Sequence, residues 1–314
     1  YRDQDSLRQG RLRARLKFHI AEVGWKAFRD QLESYLGYEL EHDDSITAPL
    51  TVANDDHIGS GPLKNGMMYV GVPIPRGRLS GDQMIAIADL ADRYCAAGPV
   101  SGRPDRQNAA PAEARQLNTT IKQNILFVNV PPEQVGGLSK ELADIGLPVD
   151  AHPLRRNLIS CTGIQFCNLA VVETKERAAR ILEYLEASVP MDDPVFVSVT
   201  GCPNSCAQYQ IADIGLQGTL YTWKGQKGVE HYHVLVGGRQ GVDAEFARFI
   251  TRDGDKKVKV PAELIHLAIE RLVRAFQSDR TSTEKFADWA QRQEMTRLAD
   301  LITLPESAEL PASA

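Results

Sequence analysis

Four cysteines in two short clusters constrain this chain more than any other feature. They stand as Cys161-Thr-Gly-Ile-Gln-Phe-Cys167 and Cys202-Pro-Asn-Ser-Cys206, spaced C-x5-C and C-x3-C, with 34 residues between the clusters. If the thiols act together, the fold must carry two loops that are distant in sequence to one place. Four thiolates are the ligand set of an iron–sulfur cluster, and such sites carry characteristic cysteine spacings. Structural zinc takes the same set, but its knuckles favour C-x2-4-C turns, which C-x5-C fits poorly. Disulfides are disfavoured by the odd count of five cysteines and by a charged N-terminus without the apolar stretch of a secretory signal. The expectation is a four-cysteine metal or cluster site at Cys161, Cys167, Cys202 and Cys206. Cys95 stands alone in a helical stretch beside Ala96 and Ala97 and reads as a buried core residue.

The bulk of the chain is that of an ordinary globular protein: 314 residues, 43% hydrophobic and 25% charged. That length allows two domains with a helical lead-in. The 36 Lys and Arg against 41 Asp and Glu leave a net charge of −5, whereas a general nucleic-acid binder is strongly basic. No apolar run approaches the ~20 residues of a membrane-spanning helix. Neither nucleic acid nor membrane is therefore an expected partner. A redox cluster suits a reducing compartment, so the expected location is cytoplasmic. The first residue is Tyr1 rather than Met, as in a fragment or a processed product. P-loop, dinucleotide-glycine and Ser-His-Asp signatures are missing.

Apolar periodicity divides the chain into three segments. Residues 1–50 read as helical, with Leu12, Leu16, Ile20 and Val23 at helical spacing and Arg8, Arg11, Arg13, Arg15 and Lys17 on the other faces. A second helix follows Gly24, from Trp25 to Leu36, with a stripe of Phe28, Leu32 and Leu36. The basic run reads as a solvated helix face rather than a nucleic-acid patch. Residues 51–150 hold a β-rich run from Met67 to Pro75, a helix from about Asp82 to Ala96 and a strand at Ile125-Leu-Phe-Val128. A second helix runs from about Glu133 to Ile145. On the first helix Met84, Ile87, Leu90, Ala91 and Tyr94 share a side. Residues 99–116, rich in Pro, Gly and Ala, read as an inserted loop. Residues 151–314 hold a helix from about Leu169 to Glu186 and a strand at Val195–Val199 that delivers Cys202. A strand at His233–Val236, a helix over 261–277 and an amphipathic piece around Phe286, Trp289 and Ala290 complete it. His231 and His233 fall on one face of a strand and read as sheet-surface residues rather than a metal pair.

Cys161-Thr-Gly-Ile-Gln-Phe-Cys167 with Glu173-Thr174-Lys175, then Thr200-Gly-Cys-Pro-Asn-Ser-Cys206 with Ala212-Asp-Ile-Gly215, resembles the siroheme and [4Fe-4S] nitrite/sulfite reductase family. The resemblance implies an α/β (α+β) architecture in three parts. These are an N-terminal helical segment (1–50), a ferredoxin-like half-domain (51–150) and a domain binding the [4Fe-4S] cluster and siroheme (151–314). It implies that the four cysteines hold the cluster and that Cys206 also bridges to the siroheme iron, which makes Cys206 the catalytic thiolate. It further implies that Gln123 and Asn124, in Leu117-Asn-Thr-Thr-Ile-Lys-Gln-Asn124, contact siroheme. The family has an arginine where Asn118 stands, and asparagine cannot supply that charge. Arg106-Gln107-Asn108 copies part of this motif without a following strand.

Asn204, between two of the cysteines, either lies against the cofactors or simply tolerates a left-handed turn. Siroheme carries many carboxylates, so cationic donors are expected around it; Arg239, after Gly237-Gly238, is one, and Arg76 and Arg78 are others. The implied activity is assimilatory six-electron reduction of nitrite to ammonia, because Thr162-Gly163, Phe166 and Glu173-Thr174-Lys175 look closer to the nitrite branch. Sulfite reduction to sulfide is the alternative, and a cluster-binding electron-transfer module without catalysis is a third reading. The implied partners are ferredoxin or a similar small acidic donor and a small oxyanion substrate, with a monomer as the full-length state. Lys224, Lys227, Lys256 and Lys257 are the residues expected to dock the donor.

Overall fold

The computed structural model describes residues 16–41, 56–96, 98–99, 113–114, 117–241 and 244–304. Contacts divide the chain into two units, Tyr1–Leu50 and Thr51–Ala314. In the first, helices α1 (Leu16–Val23) and α2 (Trp25–Leu36) meet at Gly24, whose φ of 81° only glycine adopts readily. Gly37 closes α2 in a left-handed cap that returns its N–H to the Glu33 carbonyl. The expected stripe of α2 is not covered: none of its residues is buried, and Leu32 and Leu36 are exposed. Leu12, Arg8, Arg11, Arg13 and Arg15 lie outside the described residues.

Among the described residues the second unit contains two large apolar cores and a small third cluster. The first is built on an antiparallel sheet in the order β1-β2-β6-β5. Its strands are β1 (Gly59–Pro62), β2 (Met68–Val72), β5 (Leu117–Thr119) and β6 (Ile125–Val130). The two-residue strands β3 (Gly98–Pro99) and β4 (Glu113–Ala114) pair with each other; nearly all of the expected 99–116 loop, with Arg106-Gln107-Asn108, lies outside the described residues. Helix α3 (Gly81–Tyr94) starts where Ser80 and Gln83 cap each other reciprocally, each side chain accepting the other's backbone N–H at 3.1 Å. Helix α4 (Val135–Asp144) follows Pro131-Pro132. Ile87, Leu90 and Ala91 of α3 and Leu138 and Leu142 of α4 pack with Val70, Val72, Phe127 and Val130 of the sheet. Cys95 caps the end of α3 and is buried in this core. Met84 departs from the expected stripe: it occupies the first turn of α3, ahead of the turns that enter the core, and is exposed.

A second sheet carries the cysteine loops. After α5 (Pro153–Asn157), strands β7 (Leu158–Ser160), β8 (Val197–Thr200) and β9 (Ile214–Trp223) run parallel, and β10 (Gln226–Val236) returns antiparallel to β9. Strands β11 (Arg248–Phe249) and β14 (Lys259–Pro261) both pair with β10, while β12 (Thr251–Arg252) and β13 (Lys256–Lys257) form a separate hairpin. Parallel neighbours need a crossover of a dozen or more residues. Helix α6 (Lys175–Ser188) supplies it between β7 and β8; the loop 201–213 supplies it between β8 and β9.

The two crossovers use opposite faces. Leu158, Val197 and Val199 face α6 and the tail helices α7 (Ile265–Asp279), α8 (Phe286–Arg292) and α9 (Met295–Ile302) in the main core. Ile159 and Phe196 face the loop, packing with Ala207, Ala212 and Cys161. Strand side chains alternate between faces, so one short strand serves both.

The helix expected from Leu169 to Glu186 begins six residues later, at Lys175. Residues 163–171 are instead drawn into turns by Gly163 and Gly201: Cys167 N–H donates to the Gly163 carbonyl at 3.0 Å and Val171 N–H to the Gly201 carbonyl at 2.9 Å. The main core closes on Trp289, fully buried with its ring 5.3 Å from Phe286 and 5.9 Å from Phe276 between centroids. Trp289→Ala should destabilise the protein by about 3–5 kcal/mol through lost burial and an unfilled cavity. The measurement is urea denaturation, where a midpoint unchanged from the parent would contradict this packing.

Candidate cluster site

Parallel pairing brings the first and third cysteines together. In β7 and β8 Ser160 lies opposite Val199, so Cys161 and the Thr200-Gly201-Cys202 turn leave the sheet at one end. Cys161 N–H donates to the Val199 carbonyl at 3.0 Å, and the Cys161 thiol sulfur accepts from Gly201 N–H at 3.2 Å. Thr174 donates its hydroxyl to the Cys161 carbonyl at 2.7 Å. Gly163, at φ 75°, turns the first loop so tightly that an added Cβ would lie 2.4 Å from Thr174 Oγ1. Gly201 is held between Ala170, Thr174 and Val172, and Gly218 of β9 packs behind it.

Residues 201–213 are braced in turn. Ser198 donates its hydroxyl to the Ala207 carbonyl, and Tyr209 donates to the Pro203 carbonyl at 3.4 Å while accepting from Gln217 Nε2 at 2.6 Å. Cys202 is buried, Cys161 and Cys167 are half-buried and Cys206 is exposed; none of the five cysteines forms a disulfide. Among the described residues no group of three or more His, Cys, Asp or Glu side chains is placed to hold a single metal ion. The residues fit a cluster by their donor chemistry. Four thiols sit on two loops cross-tied at Gly201, beside a Thr200 hydroxyl that is fully buried and has no hydrogen-bond partner.

The structure gives the expected cofactor residues different settings. Gln123, at φ 62°, lays its amide along β7: Nε2 donates to the Ser160 carbonyl at 2.9 Å and Oε1 accepts from Ser160 N–H at 3.4 Å. Asn124 is buried, its Oδ1 accepting from Ile74 N–H at 2.9 Å. Gln123 therefore joins the half-domain to β7 at the residue before Cys161, while Asn124 Nδ2 donates to the Arg156 carbonyl of α5 at 3.4 Å. Asn204 is half-buried, and its backbone is not left-handed; Ser205, at φ 60°, takes that conformation. The turn-tolerance reading of Asn204 is thereby corrected, because the turn bends one residue later.

Arg239 is not brought to the cysteines. It follows the end of β10 that lies level with the start of β8, the opposite end from Cys202, and pairs with Asp288 and Glu245. His231 and His233 are held to carbonyls of Val229 and Val258 and packed on Tyr221, Trp223 and Phe249, as sheet residues.

A cationic group beside Cys161 was only partly legible. Arg76 and Arg78 both pair with Glu176, at 2.9 and 3.0 Å, and Arg78 also donates to Gln165 of the first cysteine loop at 2.7 Å. Lys175, which closes the Glu173-Thr174-Lys175 motif, donates Nζ to the carbonyls of Arg76 and Ser160. Burial, then the neighbouring Arg78 and Arg76 charges, bring its pKa down to about 8 against the pull of Cys161. Its signal in sequence was its place one residue after Thr174, but only the fold shows it beside Cys161.

Residues 152–310 match the family described as the nitrite and sulphite reductase 4Fe-4S domain, and residues 62–100 match the nitrite/sulfite reductase ferredoxin-like half domain. The chain belongs to the nitrite and sulphite reductase family. Membership implies a [4Fe-4S] cluster and siroheme as cofactors and an oxidoreductase chemistry. The chain is 35% identical over 294 residues to a sulfite reductase (ferredoxin) of Mycobacterium tuberculosis, covering 91% of this chain and 48% of that protein. It is 34% identical over 274 residues to a ferredoxin–nitrite reductase of Synechococcus elongatus, covering 86% and 49%. The solved structure of the Mycobacterium tuberculosis NirA protein superposes with a TM-score of 0.79 at 35% identity, covering 93% of this chain and 50% of that one. The chain thus spans about half the length of the curated relatives it matches. No helix among the described residues is long and apolar enough to cross a membrane.

The depressed Lys175 pKa has a consequence for stability. Between about pH 8 and the ordinary lysine value of 10.5, the unfolded chain keeps a proton that the folded chain has released. Stability therefore rises with pH across that window through this group. Lys175→Met should flatten the rise, measured as the pH dependence of the urea midpoint from pH 7 to 10.5. An unchanged slope would show that the charge is not desolvated.

Proposed function

We propose that this chain forms the cluster-bearing portion of an enzyme that reduces nitrite to ammonia by six electrons. The observation that carries the proposal is the pairing of two cysteine loops across β7 and β8, with Arg76, Arg78 and Lys175 gathered beside Cys161. Cys161, Cys167, Cys202 and Cys206 would hold the [4Fe-4S] cluster. When bound, the cluster would supply single electrons and the siroheme an open iron coordination position for the anion. Cys206 is the most exposed of the four thiols, which suits a sulfur shared with a second metal.

The protein's own contribution is charge and rigidity. Arg76 and Arg78 hold positive charge at the first cysteine loop, with Glu176 fixing both guanidinium groups. Lys175 adds an ammonium whose proton is bound below about pH 8. Such cations lower the cost of gathering an anionic substrate and cofactor carboxylates in one place. Nitrite is favoured by the wording of Thr162-Gly163, Phe166 and Glu173-Thr174-Lys175. Sulfite is the second reading, supported by several relatives at 33–35% identity that are named sulfite reductases. Parallel steady-state assays with both anions, in an enzyme containing this chain, separate the two. Nitrite turnover exceeding sulfite turnover tenfold or more is expected, and the reverse ratio would overturn the nitrite assignment.

Replacing Cys161, Cys167 or Cys202 by serine should remove most cluster iron and sulfide, because a hard oxygen is a poor substitute for a thiolate. Full iron and sulfide content in all three variants would exclude the assignment. Cys206→Ser should in addition lower turnover per bound siroheme to near zero; near-normal turnover per siroheme would refute the bridging role. A visible spectrum of anaerobically purified protein tests the electron-transfer reading, since siroheme adds strong haem-like bands to the broad absorption of a cluster.

The reductant we propose is ferredoxin or a similar acidic donor. Lys224 sits in the turn between β9 and β10, and Lys227 is the second residue of β10. That hairpin runs six residues past Gln217, which is level with Thr200, so its tip stands about 20 Å beyond the cysteine end of the sheet. Lys256 and Lys257 lie on the separate β12–β13 hairpin, with Lys257 over the Phe249 ring. Raising ionic strength from 0.01 to 0.15 M shortens the Debye length from about 30 to about 8 Å. Donor affinity should fall at least tenfold over that range; a salt-independent affinity would exclude docking by charge.

A further inference from the structure

We propose, on the cluster reading above, that the Thr200 hydroxyl donates a hydrogen bond to a sulfur of the cluster assembly and raises its reduction potential. Thr200 is fully buried, and its Oγ1 has no hydrogen-bond partner in the protein. Leaving a buried hydroxyl without a partner is costly, so such a group points to something outside the polypeptide that satisfies it.

The strand pattern says which way the hydroxyl faces. Ser198 turns toward the 201–213 loop, because its Oγ donates to the Ala207 carbonyl. Thr200, two residues on, shares that face. Ile159 and Cys161 of the neighbouring strand pack on the same face with Phe196, Ala207 and Ala212. Thr200 therefore stands level with Cys161 and two residues before Cys202, on the sheet face that Ala207 covers at Ser198. The peptide N–H that follows it, that of Gly201, already donates to the Cys161 sulfur at 3.2 Å. The hydroxyl is the second donor at this spot, level with Cys161 and two residues before Cys202.

Ser160 supplies a contrast. Its hydroxyl is also buried and without a partner, but it lies between Ile159 and Cys161 in β7 and so faces away from the loop, toward the side of Leu158 and α6. Hydrogen bonds to cluster sulfurs stabilise the reduced, more negative state and so raise the potential. Losing one such bond should make the cluster harder to reduce.

The test is a redox titration followed by electron paramagnetic resonance on the anaerobically purified, cluster-loaded protein. Thr200→Val, which keeps the shape and removes the hydroxyl, should lower the midpoint potential by about 59 mV, a tenfold change in the one-electron equilibrium. Thr200→Ser should restore most of the shift, and Ser160→Ala should leave the potential unchanged. A Thr200→Val protein with full iron and an unaltered midpoint would overturn the inference, as would a Thr200→Ser shift equal to that of Thr200→Val. If Thr200→Val holds no iron, Thr200→Ala is titrated in its place, with the same shift expected and an unaltered midpoint equally decisive. Absence of iron and sulfide from the unmutated protein would overturn the cluster reading itself, whereas iron with no shift overturns only the role of Thr200.

Discussion

The parallel pairing of two short strands is the constraint on which the rest of this site depends. Strands β7 and β8 are only three and four residues long, yet each ends at a cysteine loop. Their register places Gly201 N–H against the Cys161 sulfur, and the Gly201 carbonyl receives Val171 N–H from the far side of the first loop. A slip of one residue would turn Cys161 and Thr200 to the opposite face of the sheet. Large apolar neighbours resist such a slip, since Val197 and Val199 on one face and Phe196 on the other are all buried. Register, and with it the cysteine arrangement, is thus held by the main core rather than by the loops.

Glycine gives the site its density. Gly201 has Val172 and Thr174 against it, and an added Cβ on Gly218 would lie 2.8 Å from the Gly201 backbone. On the same strand, a Cβ at Gly215 would meet the Tyr209 carbonyl oxygen at 2.1 Å. Close backbone approach of this kind leaves no room for side chains behind the cysteine loops.

Charge joins the half-domain to the cysteine-bearing sheet. Arg156 reaches Asp56 with two hydrogen bonds of 2.8 and 2.9 Å, and burial of that carboxyl is outweighed by Arg156 and the Ile58 N–H, which hold its pKa below the usual range. Glu176, at the start of α6, binds Arg76 and Arg78 together. Gln123 and Lys175 both donate to the Ser160 carbonyl, one from each side of the joint. Residues from the half-domain are thereby set beside Cys161, which explains how a motif 37 residues upstream of Ser160 bears on the site.

Cysteine spacing and the existence of helices are legible in the sequence because both are local: the helix Trp25–Leu36 and the four thiols can be read without knowing what lies opposite, whereas the face that α2 buries cannot. The β9–β10 hairpin was seen only in part, since Gly215 and Gly218 interrupt its apolar alternation and glycine reads as a breaker until its tight neighbours are known. A helix start at Leu169 falls six residues early for a related reason: the bond from Val171 N–H to the Gly201 carbonyl across the sheet is invisible to local pattern. Tertiary structure alone decided that Lys175 and Arg78 stand at the first cysteine loop while Arg239 is held away by Asp288 and Glu245. It alone left the Thr200 hydroxyl buried and without a partner. The sequence by itself determined which thiols the chain possesses and how they are spaced; burial, register and long-range pairing decided which charges and donors surround them, because those depend on residues far apart along the chain.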